Sequence, residues 1–215
     1  MPATPAVLPE LIQAALAAID AHAEEVTELD RTLGDGDHVT NLQRGLRALL
    51  AQSDELAALD DWSQALQKMA MTIMSQIGGA SGSLYATLFM TLAKQLKGKA
   101  MDLAAFAEAF EAGVEAMKQR GRSDVGEKTM LDTLVPVAAY LKRAAGEGKD
   151  LDQVLEEVKA VATEGMESTR DMLATKGRAS YLGERARGIV DAGARTSQLM
   201  ICTIADKLAE KSARH

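Results

Sequence analysis

The chain has 215 residues and a single cysteine, Cys202, which excludes a disulfide framework and a cysteine-built zinc site while leaving ample length for a substantial core. A formal net charge of −7 and only 3% aromatics exclude the basic, stacking face that holds nucleic acid, so a polyanionic ligand must bring positive charge with it, most simply as a divalent cation. No stretch reaches the roughly 20 apolar residues that cross a bilayer, and MPATPAVLPE lacks the basic-then-apolar order of an export signal, so a cytoplasmic protein outside any membrane is expected.

The hydrophobic period is helical almost throughout. Ile12, Leu16, Ile19 and Val26 mark one face of a first helix over 7–29. A second is expected over 39–52, and a third over 60–77 with Trp62, Leu66, Met69, Ile73 and Ile77 on its buried face. Helices over 81–97, 102–120 and 127–145 follow, the last with a kink expected at Pro136. GEG at 146–148 ends it, and Asp150 with Gln153 three residues on reads as a capping box opening a helix over 150–175, whose apolar face is Leu151, Val154, Val158 and Val161. The eighth helix spans 193–212 and contains Cys202 as a small core residue. No segment alternates as a strand. The expectation is one all-α domain, 1–215, of about eight up-and-down antiparallel helices.

Four polar or glycine-rich stretches interrupt the pattern: LDRTLGDGDHVTN (29–41), GGASG (78–82), GRSDVGEKTM (121–130) and KGRASYLGERARGIVDAGA (176–194). They follow helices one, three, five and seven. In an up-and-down assembly, connections after odd-numbered helices lie at one end. All four are therefore expected to meet there.

Asp30, Asp35 and Asp37, with a glycine between the last two, offer hard oxygen ligands that suit magnesium or calcium. Calcium in an EF-hand is disfavoured, because counting from Asp35 puts Thr40 at the glycine position and Leu46 at the glutamate position. Magnesium completes its shell with waters and phosphates, so an acidic trio implies a phosphate ligand. The competing reading is a plain turn with helix-capping aspartates. GGASG leads into a helix whose free amides would favour an anion, or else its glycines serve close packing. Neither a P-loop nor a dinucleotide fingerprint is present. Arg178, Arg185, Arg187 and Arg195, with Lys176, surround the last stretch and are suited to phosphate oxygens or to solvent. His38 fits either a phosphate contact or a turn.

Together the four stretches resemble the nucleotide-binding L subunit of dihydroxyacetone kinases, in family order over residues about 29–195. The resemblance implies a barrel of eight antiparallel helices with an adenine nucleotide, ADP or ATP, in the loops at one end. It implies that Asp30, Asp35 and Asp37 bind two magnesium ions bridging the nucleotide phosphates. It assigns nucleotide contacts to His38, Val39, Thr40, Asn41, Gly79, Ala80, Ser81, Gly121, Thr129, Met130, Arg178, Asp191, Ala192 and Gly193. The implied chemistry is transfer of the terminal phosphate to a ketose held covalently on a histidine of a separate K subunit, with Arg178 adding positive charge. The phosphoryl source is either freely exchanging ATP, or bound ADP recharged in place by a phosphohistidine phosphocarrier of the phosphotransferase system.

The chain departs from the family pattern at Val39, where glycine is usual, at Ser83 and Ala192, where proline is common, and at the apolar pair Ile189 and Val190. The altered 189–192 loop leaves open a second reading: a non-catalytic, nucleotide-sensing adaptor that binds a regulator or a kinase partner.

Overall fold

The computed structural model describes residues 4–213, and all regular structure in them is helical. A 3-10 turn (Pro5–Val7) leads into α1 (Leu8–Ala21), α2 (Ala23–Leu33), α3 (His38–Ala51), the short α4 (Ser53–Ala57), α5 (Trp62–Gln76), α6 (Gly79–Gln95), α7 (Leu103–Gly121), α8 (Leu131–Gly146), α9 (Leu151–Ser168) and α10 (Ala192–Ser212). Between α9 and α10 lie 3-10 turns at Thr169–Asp171 and Arg178–Ala186.

Neighbour relations close on themselves. The order α1, α3, α5, α6, α7, α8, α9, α10 returns to α1, each helix packed on the next, which makes a ring of eight. These are the eight expected helices. Their inner faces form one apolar cluster running from Leu8 to Ala205, with Ile19, Met117, Val137 and Val154 almost wholly shielded. Burying each such side chain contributes about 1.5–3 kcal/mol. Small residues set the helix spacing: a β-carbon at Gly113 would stand 2.6 Å from Leu88 Cδ1, and one at Gly165 only 2.5 Å from the Asp132 carbonyl oxygen.

Aspartate N-caps start four helices, with Asp61 accepting from Ser63 N–H, Asp102 from Ala105, Asp150 from Asp152 and Asp191 from Ala194, at 2.8–3.0 Å. Each such cap is worth about 1 kcal/mol. The box expected at Asp150 is half made, because Gln153 turns forward to Glu157 instead of back to the cap.

Three helix limits differ from expectation. The first helix breaks at His22, whose Nδ1 bonds to the Ala18 carbonyl oxygen, and α2 turns by 66° and packs against α10 and α3. The sixth begins at Leu131, not 127, because the buried Asp132 carboxylate takes the amides of Gly126 and Thr129 and winds 126–130 into a turn. The seventh stops at Ser168, not 175, where the Thr169 carbonyl accepts from the Lys128 ammonium together with the Met172 amide of a 3-10 turn (3.3 Å). At Pro136 the helix continues unbroken to Gly146; the bond proline gives up is the one to the Asp132 carbonyl, in the first turn. Among the described residues no single helix is long and apolar enough to cross a membrane.

Candidate functional site

Asp30 stands near the end of α2, and Asp35 and Asp37 in the turn leading to α3; one oxygen from each lies within 4.8 Å of the others. Gly36, at φ +77°, permits the reversal, and a β-carbon at Gly34 would collide with Asp30 Oδ1 at 2.8 Å. The capping alternative fails at the residue where it matters. Asp37 occupies the N-cap position of α3 without a side-chain cap bond, and it is Asp30, from the helix before, that accepts the His38 amide at 3.0 Å. The turn therefore leaves carboxylate oxygens unspent, aimed at a common point. A cation already answers them: Arg178 Nη2 lies 2.8 Å from Asp35 Oδ2.

In GGASG one glycine is fixed by packing and another faces open space. Gly82 is sterically required, since a β-carbon there would fall 2.0 Å from the Ile77 carbonyl oxygen. Gly79, at φ +70°, faces open space and begins α6 without any side-chain cap, which leaves the first-turn amides of Gly79, Ala80 and Ser81 available to an anion. Asn41 reaches this turn from α3, and Arg44 fixes it there by donating to Asn41 Oδ1 (2.7 Å) and to the Gln76 carbonyl (2.7 Å). Gly121 completes the same side, against Leu84 of α6.

Across the ring's end, α10 opens beside Met130, whose side chain lies 3.5 Å from a β-carbon placed on Gly193. The Gly193 carbonyl accepts the hydroxyls of Thr196 (3.1 Å) and Ser197 (2.8 Å). With those protons committed, His38 Nε2–H donates to Thr196 (2.9 Å) and the Tyr85 hydroxyl donates to Ser197 (2.8 Å). This network joins α3, α6 and α10 across the opening. Burial lowers the His38 pKa against the pull of Asp30 and Asp37, so the ring is neutral at pH 7, and burial pushes the Tyr85 hydroxyl up to about 12. Asp191, the cap of α10, is pushed up to about 6 by burial, which outweighs the Ala194 amide and Lys128.

The loop 172–187 forms a strap carrying Arg178. It has a small core of its own, Leu33 with Ala174, Ala179 and Ala186, flanked by Leu182 and Ile189. Val190 is buried with Met166 and Ala194. Thus the apolar departures at 189 and 190 pack inward and seat the strap on α2, α9 and α10. Val39 also joins the main core, at 3% exposure, and with Thr40 lines a groove between α2 and α3 whose opposite wall includes Glu24, Glu28 and Arg31. Ala192 sits buried at the first position of α10, and Ser83 Oγ bonds back to the Ala80 carbonyl.

The four stretches therefore converge at one end, as helix parity required, through the pairs 35–178, 41–78 and 130–193, with the neighbouring pairs 84–121 and 38–196 beside them. Of the other cations around the last stretch, Arg195 is spent on Glu25 (2.8 and 3.1 Å), Arg187 pairs with Glu184 and Lys176 with Glu127. Thr129 accepts the Leu131 amide through Oγ1. Sequence reasoning missed Tyr85, Asp132, Thr196 and Ser197, and above all Lys128, which is 1% exposed.

Residues 32–206 match the DAK2 domain family. Over 183 residues the chain is 38% identical to the ADP-binding subunit DhaL of PEP-dependent dihydroxyacetone kinase 1 from Listeria innocua, covering 85% of this chain and 86% of that protein. It is 35% identical over 184 residues to the corresponding DhaL subunit from Escherichia coli, covering 85% and 87%. The crystal structure of the dihydroxyacetone kinase from C. freundii in complex with AMP-PNP and Mg2+ has the same fold, with a TM-score of 0.72 at 23% identity over 98% of this chain and 35% of that one.

Proposed function

The chain belongs to the DAK2-domain family, and from that premise we propose that it is the nucleotide-binding, phosphoryl-donating subunit of a kinase acting on dihydroxyacetone or a related ketose. The observation that carries this reading is the convergence at one end of the ring of three clustered carboxylates, a cation paired to one of them, and the uncapped amides of α6. The proposed unit is the whole chain, 1–215, acting in the cytoplasm.

Magnesium fits the donor set, which is all oxygen and already attracts a positive side chain. Asp30, Asp35 and Asp37 would hold it, as two ions in the occupancy we propose. When bound, magnesium spreads the charge of the transferred group. The chain's own residues do the rest. The first-turn amides of α6 hold phosphate oxygens, and Asn41, Gly121, Met130 and the start of α10 enclose the nucleotide. Arg178 brings positive charge to the point where charge develops in the transition state. Neutral His38 holds α10 in place through Thr196.

The ketose is held by a separate K subunit, which also supplies the base for its hydroxyl, so this chain alone is catalytically incomplete. Relatives described as PEP-dependent favour a relay in which ADP stays bound and a phosphocarrier recharges it. The adaptor reading loses its motive, because Ile189 and Val190 are occupied in seating the strap. The test is to purify the chain, denature a portion to identify retained nucleotide, and follow exchange with labelled ATP in magnesium and then in chelator. Retained ADP that resists exchange is the expected result; rapid magnesium-dependent exchange points to a direct ATP kinase, and no binding under any condition rejects the enzymatic site.

A further inference from the structure

We propose that Lys128 is a positioning residue for phosphoryl transfer: its buried ammonium clamps together the two feet of the strap that delivers Arg178. The proposal rests on the kinase reading above and adds to it a residue that never touches the nucleotide.

Lys128 is 1% exposed and sits at φ +62°, a left-handed conformation that a residue with a β-carbon rarely adopts. Its ammonium donates to the carbonyls of Thr169 and Ile189, and at 3.4 Å to that of Arg170. Thr169 and Arg170 are where the chain leaves α9 for the strap, and Ile189 is where it returns toward α10. Three protons thus meet three carbonyls, and the intervening residues hang from one ion.

The feet also bond to each other, Gly188 N–H to the Arg170 carbonyl (2.8 Å) and Asp191 N–H to Thr169 Oγ1 (3.0 Å). Further out, the residue before Lys128 takes over: Thr175 donates its amide to the Glu127 carbonyl (3.4 Å) and its hydroxyl to Glu127 Oε1 (3.0 Å). At the tip, Arg178 meets Asp35. The strap's own apolar core is too small to set this register by itself, being mostly alanine. Burial holds the Lys128 pKa below its ordinary range, with Asp191 and Asp171 pulling the other way. A buried charge is a costly way to fill space, and its best-attested benefit is to fix one arrangement among several.

The experiment uses the full chain with its K subunit, comparing wild type with Lys128→Met. Four quantities are read: thermal midpoint, magnesium–ADP affinity, trypsin cleavage within the strap at Lys176, Arg178, Arg185 or Arg187, and the single-turnover transfer rate. The expected result is a folded variant whose strap is cut at least several-fold faster. Its transfer rate falls about 100-fold, the scale of a roughly 1 Å misplacement. Magnesium–ADP affinity changes far less, since the aspartates and α6 do not hang from the clamp.

Unchanged transfer and cleavage overturn the proposal. So does a loss of transfer that merely follows a loss of nucleotide affinity. Should Lys128→Met fail to fold, hydrogen exchange on the wild type decides: the amides of Gly188 and Asp191 must be protected well beyond those of the exposed strap, and equal exchange refutes the clamp. A wild-type chain that binds no nucleotide overturns the kinase reading and the catalytic half of this proposal with it. That failure is seen before any variant is made, and cleavage then decides the clamp separately.

Discussion

Replacing Asp191 with asparagine should stabilise the protein above pH 6 and remove one component of its pH dependence. The side chain caps α10, accepting the Ala194 amide at 2.8 Å, and asparagine offers an equivalent acceptor. What asparagine lacks is the ionisation that burial opposes. The carboxyl moves from an ordinary 3.8 to about 6 in the folded protein, with burial overriding the help of the Ala194 and Gly193 amides and Lys128. A folded pKa raised above the unfolded one contributes stability that is fully present below pH 3.8 and is lost as pH rises through about 6. At about 1.4 kcal/mol per pH unit the gap is about 3 kcal/mol, or about 6–12 °C in Tm for a chain of this size. Urea and thermal melts of both proteins, without magnesium or nucleotide, should therefore coincide near pH 4 and diverge in favour of Asp191→Asn toward pH 7–8. The difference between the two curves isolates this group from the other carboxylates. Parallel curves from pH 4 to 8, or an asparagine variant less stable throughout, would refute the reasoning.

Asp35→Asn or Asp37→Asn should abolish magnesium-dependent nucleotide binding in calorimetry while leaving the far-ultraviolet circular dichroism intact, since neither carboxylate caps a helix; unchanged affinity in both variants counts decisively against the site. Gly82→Ala forces a β-carbon to within 2.0 Å of the Ile77 carbonyl, so the turn before α6 must move, with about 1–3 kcal/mol lost in urea melts and weaker nucleotide binding. Ala192→Pro runs the other way. Position 192 is the first of α10, and Asp191 already has the extended backbone (φ −68°, ψ 133°) that precedes proline, so a gain of about 0.4–1 kcal/mol is expected from the stiffer unfolded chain. A loss there would mean that the amide of Ala192 is needed.

The parts legible in the sequence are those whose signal is local. Asp30, Asp35 and Asp37 lie within eight residues, the glycines mark where the backbone turns, and helix count alone put four loops at one end. His22 escaped because its bond to the Ala18 carbonyl looks, in sequence, like any polar residue on a helix face. Tyr85 and Ser197 are 112 positions apart and become partners only once the ring has closed. Lys128 is harder still, for a reason of chemistry. A buried cation paired with a carboxylate leaves two complementary letters in a sequence, whereas one satisfied by carbonyls leaves a single letter, since every residue owns a carbonyl. Its acceptors at 169, 170 and 189 are exposed as a set only by the strap's closure. The same asymmetry separates the two tasks at this end of the ring. Residues proposed to meet the ligand must carry distinctive chemistry and so announce themselves, while the residue proposed to hold their scaffold in register works on the backbone and reads as ordinary until the fold shows where it points.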